Sequence, residues 1–209
     1  MNDNARLKTF RNILEDANAC GPDGEDIDIR EIGDAERGKR KDEVVIAVSP
    51  SFGSHQKKTL GDIPHLRVLD EVIAGIEEEG LRARCVKCYE SSDLGVIASI
   101  GAKLSGSGIG VGIQSKGTSE IQQKDFSPLF NLELFSQAPL LDREAYRKIG
   151  GSAARYAKGE TPEPLPARID PSVHPLLIKS SVLHYFDTQR IVRRKKPVEF
   201  TYVEKGAKE

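Results

Sequence analysis

Residues 104–117 read LSGSGIGVGIQSKG, and four glycines at 106, 108, 110 and 112 alternate there with Ser107, Ile109 and Val111. Successive residues of a β-strand point to opposite faces, so this spacing leaves one face with side chains and the other as bare backbone. Glycine weakens a strand interior, and a run of it marks a place where another backbone or a large flat ligand comes close. Two readings therefore stand side by side. Either a helix of the same chain packs tightly on the bare face, or that face forms half of a groove for a bulky cofactor. In the second reading the cofactor's amides and phosphate would meet the polar cluster Gln114, Ser115, Lys116 and Thr118 at the end of the strand.

Upstream, VVIAV at 44–48 is a continuous apolar run, as a strand buried on both faces requires. Pro64 can open a helix in which Leu66, Leu69, Val72, Ile73 and Ile76 form one stripe and after which Gly80 stops the chain. Glu77, Glu78 and Glu79 sit at the wrong end of that helix for its dipole, so packing of the stripe must outweigh them. A second strand, 83–89, follows, and then a helix over 93–103 that Ser91 or Ser92 can cap, with Asp93 in its first turn. This β-α-β-α-β order with short connections predicts an α/β fold, Rossmann-like, with a mostly parallel sheet and flanking helices. Ligands of such sheets collect outside the carboxyl ends of the strands, here the loops after Val48, Tyr89 and Ile113.

Downstream, 121–123 suits another strand, 126–141 is loop-like, and 142–158 reads as a helix despite Gly150 and Gly151. Beyond a proline-rich connector, SSVLHYF, QRIVR and VEFTYV are strand-like, which predicts a C-terminal β-hairpin turning at Asp187 and Thr188 plus one more strand. RRKK at 193–196 is read as a solvated hairpin turn. At the other end, Leu7, Phe10, Ile13 and Leu14 stripe a short amphipathic helix over 4–18, followed by a charged, glycine-containing stretch with little to bury. The chain thus divides into an N-terminal helical extension and flexible linker, 1–41, and a Rossmann-like domain, 42–209.

The formal net charge of −1 over 209 residues carries no nucleic-acid footprint. No apolar run approaches the ~20 residues of a bilayer span, so a soluble, cytoplasmic chain is expected. Cys85 and Cys88 lie in a strand rather than a knuckle, and with Cys20 they make an odd count, so they read as structural. The alternating glycines fail the G-x-G-x-x-G pattern, and Lys116 between Ser115 and Gly117 fails the phosphate-loop pattern. His55, His65, His174 and His184 are scattered without metal-ligand spacing, and the serines near His55 lack a nucleophile elbow. No catalytic or metal constellation emerges. That favours a cofactor-holding subunit over a complete enzyme.

Together VVIAVSPSFG, GDIPH, VLDEVIAGIEEEGLRAR, SSD, LSGSGIGVGIQSKGT, NLELFSQAPLL and YRKIGGSAARYAKGETPEPLP resemble the medium subunit of adenosylcobalamin-dependent diol and glycerol dehydratases, densely over about 42–167. The resemblance implies a hydro-lyase built as a dimer of heterotrimers. Its large barrel subunit holds substrate, metal ion and catalytic side chains, a small subunit completes the trimer, and this chain covers the lower, nucleotide side of adenosylcobalamin. Radical chemistry on the cofactor then turns propane-1,2-diol or glycerol into an aldehyde and water. By the resemblance, Lys116 and Asp93 match positions near the cofactor's nucleotide end, with Ser115, Thr118, Asn131 and Pro139 as further cofactor-binding candidates. Ser136 stands where the family pattern has proline. Neither His55 nor His65 sits in D-x-H-x-x-G, which implies a cofactor that keeps its own benzimidazole on cobalt.

The same resemblance reads residues 4–18 as an encapsulation peptide for a microcompartment shell and places the chain in that lumen. It also implies the reactivating factor as a partner. The small subunit of that factor, a chaperone-like cobalamin exchanger, is the alternative identity, and an independent nucleotide-binding enzyme is a third. On the cofactor-holding reading the glycine strand is half of a cradle for the corrin's tail, with the other half donated by a separate polypeptide.

Overall fold

A computed structural model describes residues 26–166, 168 and 170–204, so the helix expected over 4–18 lies outside the described residues. In chain order the elements are β1 (Ile27–Asp34), β2 (Glu43–Val48), α1 (His65–Glu78), β3 (Arg82–Lys87), α2 (Leu94–Leu104), β4 (Ile109–Ile113), β5 (Ser119–Gln123), β6 (Glu133–Phe135), α3 (Arg143–Ala157), α4 (His174–Gln189) and β7 (Val198–Glu204). Their sheet runs β1-β7-β3-β2-β4-β5-β6. The expected β-α-β-α-β unit is its heart: β2 pairs in parallel with β3 and with β4. The outer pairings, β4 with β5, β5 with β6, β7 with β3 and β1 with β7, are antiparallel. The class is α/β as expected, with the parallel part confined to the three central strands.

One face of the sheet carries the main core, where Ile46, Val48, Val111 and Ile113 meet Leu69, Val72 and Ile76 of α1 and Ile149 of α3. On the other face Ala47 and Cys88 meet Ile97 of α2. Gly110 and Gly112 point to that second face, and this settles the two readings of the glycine run. A Cβ on Gly110 would lie 2.3 Å from the Ala102 nitrogen, and one on Gly112 would lie 2.7 Å from the Ala98 Cβ. The bare face is filled by the chain's own helix. The expected open cradle along the glycines is therefore not formed; what the glycines permit is close helix-on-sheet packing.

Glycine serves the other face in the same way. A Cβ on Gly150 of α3 would sit 2.1 Å from the Val72 carbonyl of α1, so the glycine inside α3 is what lets the two helices approach. Their solvent edge is stitched by ion pairs. Arg147 reaches Glu71 at 2.9 Å and Glu78 at 2.6 Å, while Arg155 and Lys158 reach Glu79 at 2.8 and 2.6 Å. Glu78 and Glu79, two of the three glutamates that oppose the dipole of α1, are thus paired with cations from α3 and its C-cap rather than merely tolerated. Asp142 caps α3, accepting from Ala145 N–H at 2.8 Å.

Two expectations are corrected. SSVLHYF and QRIVR do not form a C-terminal hairpin: residues 174–189 are one helix, and Asp187 and Thr188 lie in its last turn. Ile178, Val182, Tyr185 and Phe186 sit at helical spacing, a period that a short apolar run conceals. RRKK is accordingly the connector from α4 to β7. Within it the Arg193 guanidinium lies 4.6 Å from the Tyr89 ring centroid, and Lys195 pairs with Glu31 at 2.7 Å.

The second correction concerns 27–34, read as part of a flexible linker, which form edge strand β1 against β7 with a register shift between Glu31 and Gly33. Ile27 and Ile29 point to the core while Asp28 and Arg30 face out and pair at 3.3 Å. The charges hid a period-two pattern.

Candidate functional site

At the carboxyl ends of the central strands the chain turns through polar residues. Ser49 follows β2, Ser92 follows β3, and Gln114, Ser115 and Lys116 follow β4. The last three begin the tight connection into β5: Gly117 N–H donates to Gln114 O at 2.8 Å, and Gly117 has φ 101°, which its lack of a side chain allows. Four groups hold this turn from beneath. Leu60 N–H donates to Lys116 O at 3.0 Å, Ser115 N–H to Ser49 Oγ at 2.9 Å, Tyr146 Oη to Gly117 O at 2.9 Å, and His65 Nε2 lies 2.7 Å from Ser115 O.

His65 is a structural pin. Its Nδ1 accepts from Gly53 N–H at 2.9 Å, so the proton sits on Nε2 and points at Ser115 O; the ring stacks on Phe52 with centroids 3.9 Å apart. Full burial holds it neutral, with its pKa down to about 3. Sequence reading left this histidine among scattered ones, because the Ser115 carbonyl lies 50 residues away.

Above the turn lies a cavity of about 70 Å³, roofed by Ser181, His184, Tyr185 and Thr188 of α4. Since about 10–15 Å³ of such space already holds a water, it has room for a small polar group. Lys116 Nζ projects from the turn, with Ser181 Oγ at 3.4 Å, and burial lowers its pKa. Ser92 Oγ accepts from the Gln189 side chain, and Gln114 Nε2 donates to Ser92 O at 2.7 Å. No carboxylate lines this space. A cation ringed by hydroxyls with no acid suits an anionic group.

Of the residues singled out from sequence, Ser115 and Lys116 line this cavity, and Asp93, Thr118, Asn131 and Pro139 lie outside its lining. Asp93 is not a first-turn residue but the N-cap of α2, its carboxylate accepting from Val96 N–H at 3.1 Å. Thr118 is buried, and its Oγ1 has no hydrogen-bond partner. Asn131 is exposed, and Pro139 lies in a short 3₁₀ turn whose backbone faces Gly61. Cys85 and Cys88 are free and buried, their thiols pushed up to about 12, which makes them inert.

Residues 49–163 match the family model described as dehydratase medium subunit, more than half of the chain. The chain belongs to the dehydratase medium subunit family. As a medium subunit it works as one chain of a dehydratase, alongside other subunits. Among the solved structures that resemble it, one is a glycerol dehydratase reactivase, with a TM-score of 0.46 and 16% identity over 61% of this chain and 96% of the other. Another is a diol dehydratase-reactivating factor complexed with ADP and Mg²⁺, with a TM-score of 0.40 and 21% identity over 61% of this chain and 95% of that one. Among the described residues no cluster of metal-ligating side chains occurs, and none of the described helices is long and apolar enough to cross a membrane.

Proposed function

We propose that this medium subunit serves an adenosylcobalamin-dependent diol or glycerol dehydratase and holds the lower, nucleotide side of the cofactor at the carboxyl ends of β2, β3 and β4. The observation that carries this is the cavity beneath α4, acid-free and centred on Lys116, at the place where a parallel sheet presents its ligand sites. Its lining fits an anionic group such as the tail's phosphate, and its volume fits that group alone. The rest of the tail lies outside it, in the contact with a partner chain. When bound, adenosylcobalamin supplies the radical chemistry that dehydrates a 1,2-diol to an aldehyde.

This chain's part is placement. Lys116 offers a point charge with unspent donors, and the pins on the backbone of Ser115, Lys116 and Gly117 fix the turn from which its side chain projects. Both ring nitrogens of His65 are already engaged, so it has none to give to cobalt, in keeping with a cofactor that retains its benzimidazole. Asp93, Thr118, Asn131 and Pro139 stay in the reading as contacts of the tail beyond the cavity.

Partner chains have an evident landing surface. Ile178, Val182, Tyr185 and Phe186 of α4 are each about half exposed along one stripe, and Leu129 and Phe130 ahead of β6 and Leu134 on it are exposed. Residues 4–18 belong to the same reading as a shell-targeting peptide. Because β1 starts at Ile27, the deletion that tests this removes 1–25, and a shortened complex that still enters shells overturns it.

The test of the whole reading is co-expression with candidate large and small subunits. This chain should co-purify with them, and aldehyde release on adding adenosylcobalamin should require it. A chain that leaves the complex after ATP-dependent cofactor exchange would instead be a reactivating-factor subunit.

A further inference from the structure

Glu120 of β5 stands opposite Gly112 of β4 on one side and Leu134 of β6 on the other, and directly opposed residues share a face of the sheet. Gly112 faces α2, so the Glu120 carboxyl lies on the α2 face. Glu120 is 4% exposed, and its one hydrogen-bond contact is with Gln122 Nε2 at 3.5 Å, the outer limit of such a bond. Among the described residues no lysine or arginine pairs with it. The charge that acts on it is a second carboxylate, Asp93 at the N-cap of α2; burial, and then that charge, raise its pKa to about 7. Buried carboxylates are ordinarily paired, so this one marks an unmade contact. Its surroundings are apolar and open. Leu134 beside it is 52% exposed, and Leu129 and Phe130 are exposed on the loop into β6, whose Pro128 carbonyl packs against Gly95 of α2.

We propose that Glu120 is the receiving end of a salt bridge from a partner chain, made by an arginine whose apolar neighbours cover Leu129, Phe130 and Leu134. Charge complementarity selects this occupant, since two carboxylates stand here without a cation. A guanidinium brings five donors in a planar fork and leaves water more readily than an ammonium does. The apolar rim then keeps water from the pair, as the ring around an interface hot spot does. The inference rests on the reading of these exposed residues as a landing surface for another dehydratase subunit, and adds what that subunit must bring. It also sets a pH dependence. Free Glu120 takes up a proton as pH falls through about 7, and the salt bridge needs it ionised, so association is strongest above that pH and weakens below it. The groups that face Glu120 leave this dependence to it: Asp93 from α2, Gly112 from β4 and Leu134 from β6, while the loop 126–130 carries no titratable side chain.

The experiment titrates the full chain into its co-expressed candidate large and small subunits at pH 6 and pH 8. Wild type should bind up to about tenfold more tightly at pH 8. Glu120→Gln should bind about tenfold or more weakly than wild type at pH 8 and lose that pH dependence. Its thermal midpoint as a free chain should be unchanged or raised, because an unpaired buried carboxyl has gone. Glu120→Lys should not bind. A Glu120→Gln chain that binds as wild type does at both pH values overturns the salt bridge while leaving the subunit reading intact, and a lowered midpoint with unchanged binding marks a structural carboxyl and does the same. No binding by wild type overturns the subunit reading instead. In that event a Leu-Arg-Leu peptide decides: a rise in the thermal midpoint of wild type but not of Glu120→Gln keeps the surface for a different partner chain, and no rise in either removes it. A rise with Mg²⁺ alone that Glu120→Gln loses makes the occupant an inorganic cation and overturns the proposal.

Discussion

Beneath α1 and α3 the Tyr146 hydroxyl is fully buried and donates to Gly117 O at 2.9 Å, and both nitrogens of buried His65 are bonded. Just past the Gly117 turn Thr118 Oγ1, and in α4 His184 Nδ1, are buried and have no hydrogen-bond partner. The Tyr146 and His65 side chains spend their polar groups on holding the chain together. Thr118 and His184 keep theirs in reserve, as a surface does when it completes its hydrogen bonds with something outside the chain. Changes at the first pair should therefore cost folding, and changes at the second should cost binding.

The largest effect is expected where packing has no slack. Gly110→Val places carbon atoms against the α2 backbone, which cannot rotate away as a side chain would, and should destabilise by about 3 kcal/mol or more, read from urea unfolding. An unchanged midpoint would mean that the glycine face is open after all.

Next comes His65→Leu, which strands Gly53 N–H and Ser115 O and should cost about 2–4 kcal/mol; His65→Gln should lose less. A pH series sharpens this. The unfolded imidazole binds a proton near 6.5, whereas the native ring resists down to about 3. Below pH 6.5 the unfolded state therefore binds more protons, so stability present above that pH declines as pH falls, by up to ~1.4 kcal/mol per unit for this one group. His184, native near 4, adds to the same decline. The slope should shrink in His65→Gln, and an equal slope would show that His65 is protonated in the native state.

The smallest change is expected for Thr118→Val. Replacing an unpaired buried hydroxyl by an isosteric methyl should leave stability unchanged or raise it by up to ~1 kcal/mol. A clear loss would show that Thr118 belongs with the spent groups.

The parallel heart of the fold was legible in sequence from period and boundary signals: VVIAV at 44–48 ahead of SPSFG, and the stripe from Leu66 to Ile76 between Pro64 and Gly80. Three elements were hidden, the shortest being β6, three residues inside a stretch read as loop. Residues 27–34 carry so many charges that their alternation passed for a tether, and 174–189 alternate over a stretch short enough to fit a strand as well as a helix. The glycine run was read correctly as a close approach, but spacing within one strand cannot say what approaches. The partner signal lay in α2, whose Ala98, Gly101 and Ala102 are small at helical spacing. Of the site, Ser115 and Lys116 could be found because a parallel sheet fixes where its ligands collect. His184 could not, since it reaches the cavity only on a helix that was taken for strands.

The central claim is that Lys116 is held at the carboxyl end of the sheet for a cofactor and not for the fold. Lys116→Ala in the assembled complex, with cobalamin retention and subunit co-purification measured on the same sample, tests it most directly. The account predicts retention reduced about tenfold or more with assembly intact. Retention equal to wild type, or assembly lost along with it, would contradict the account.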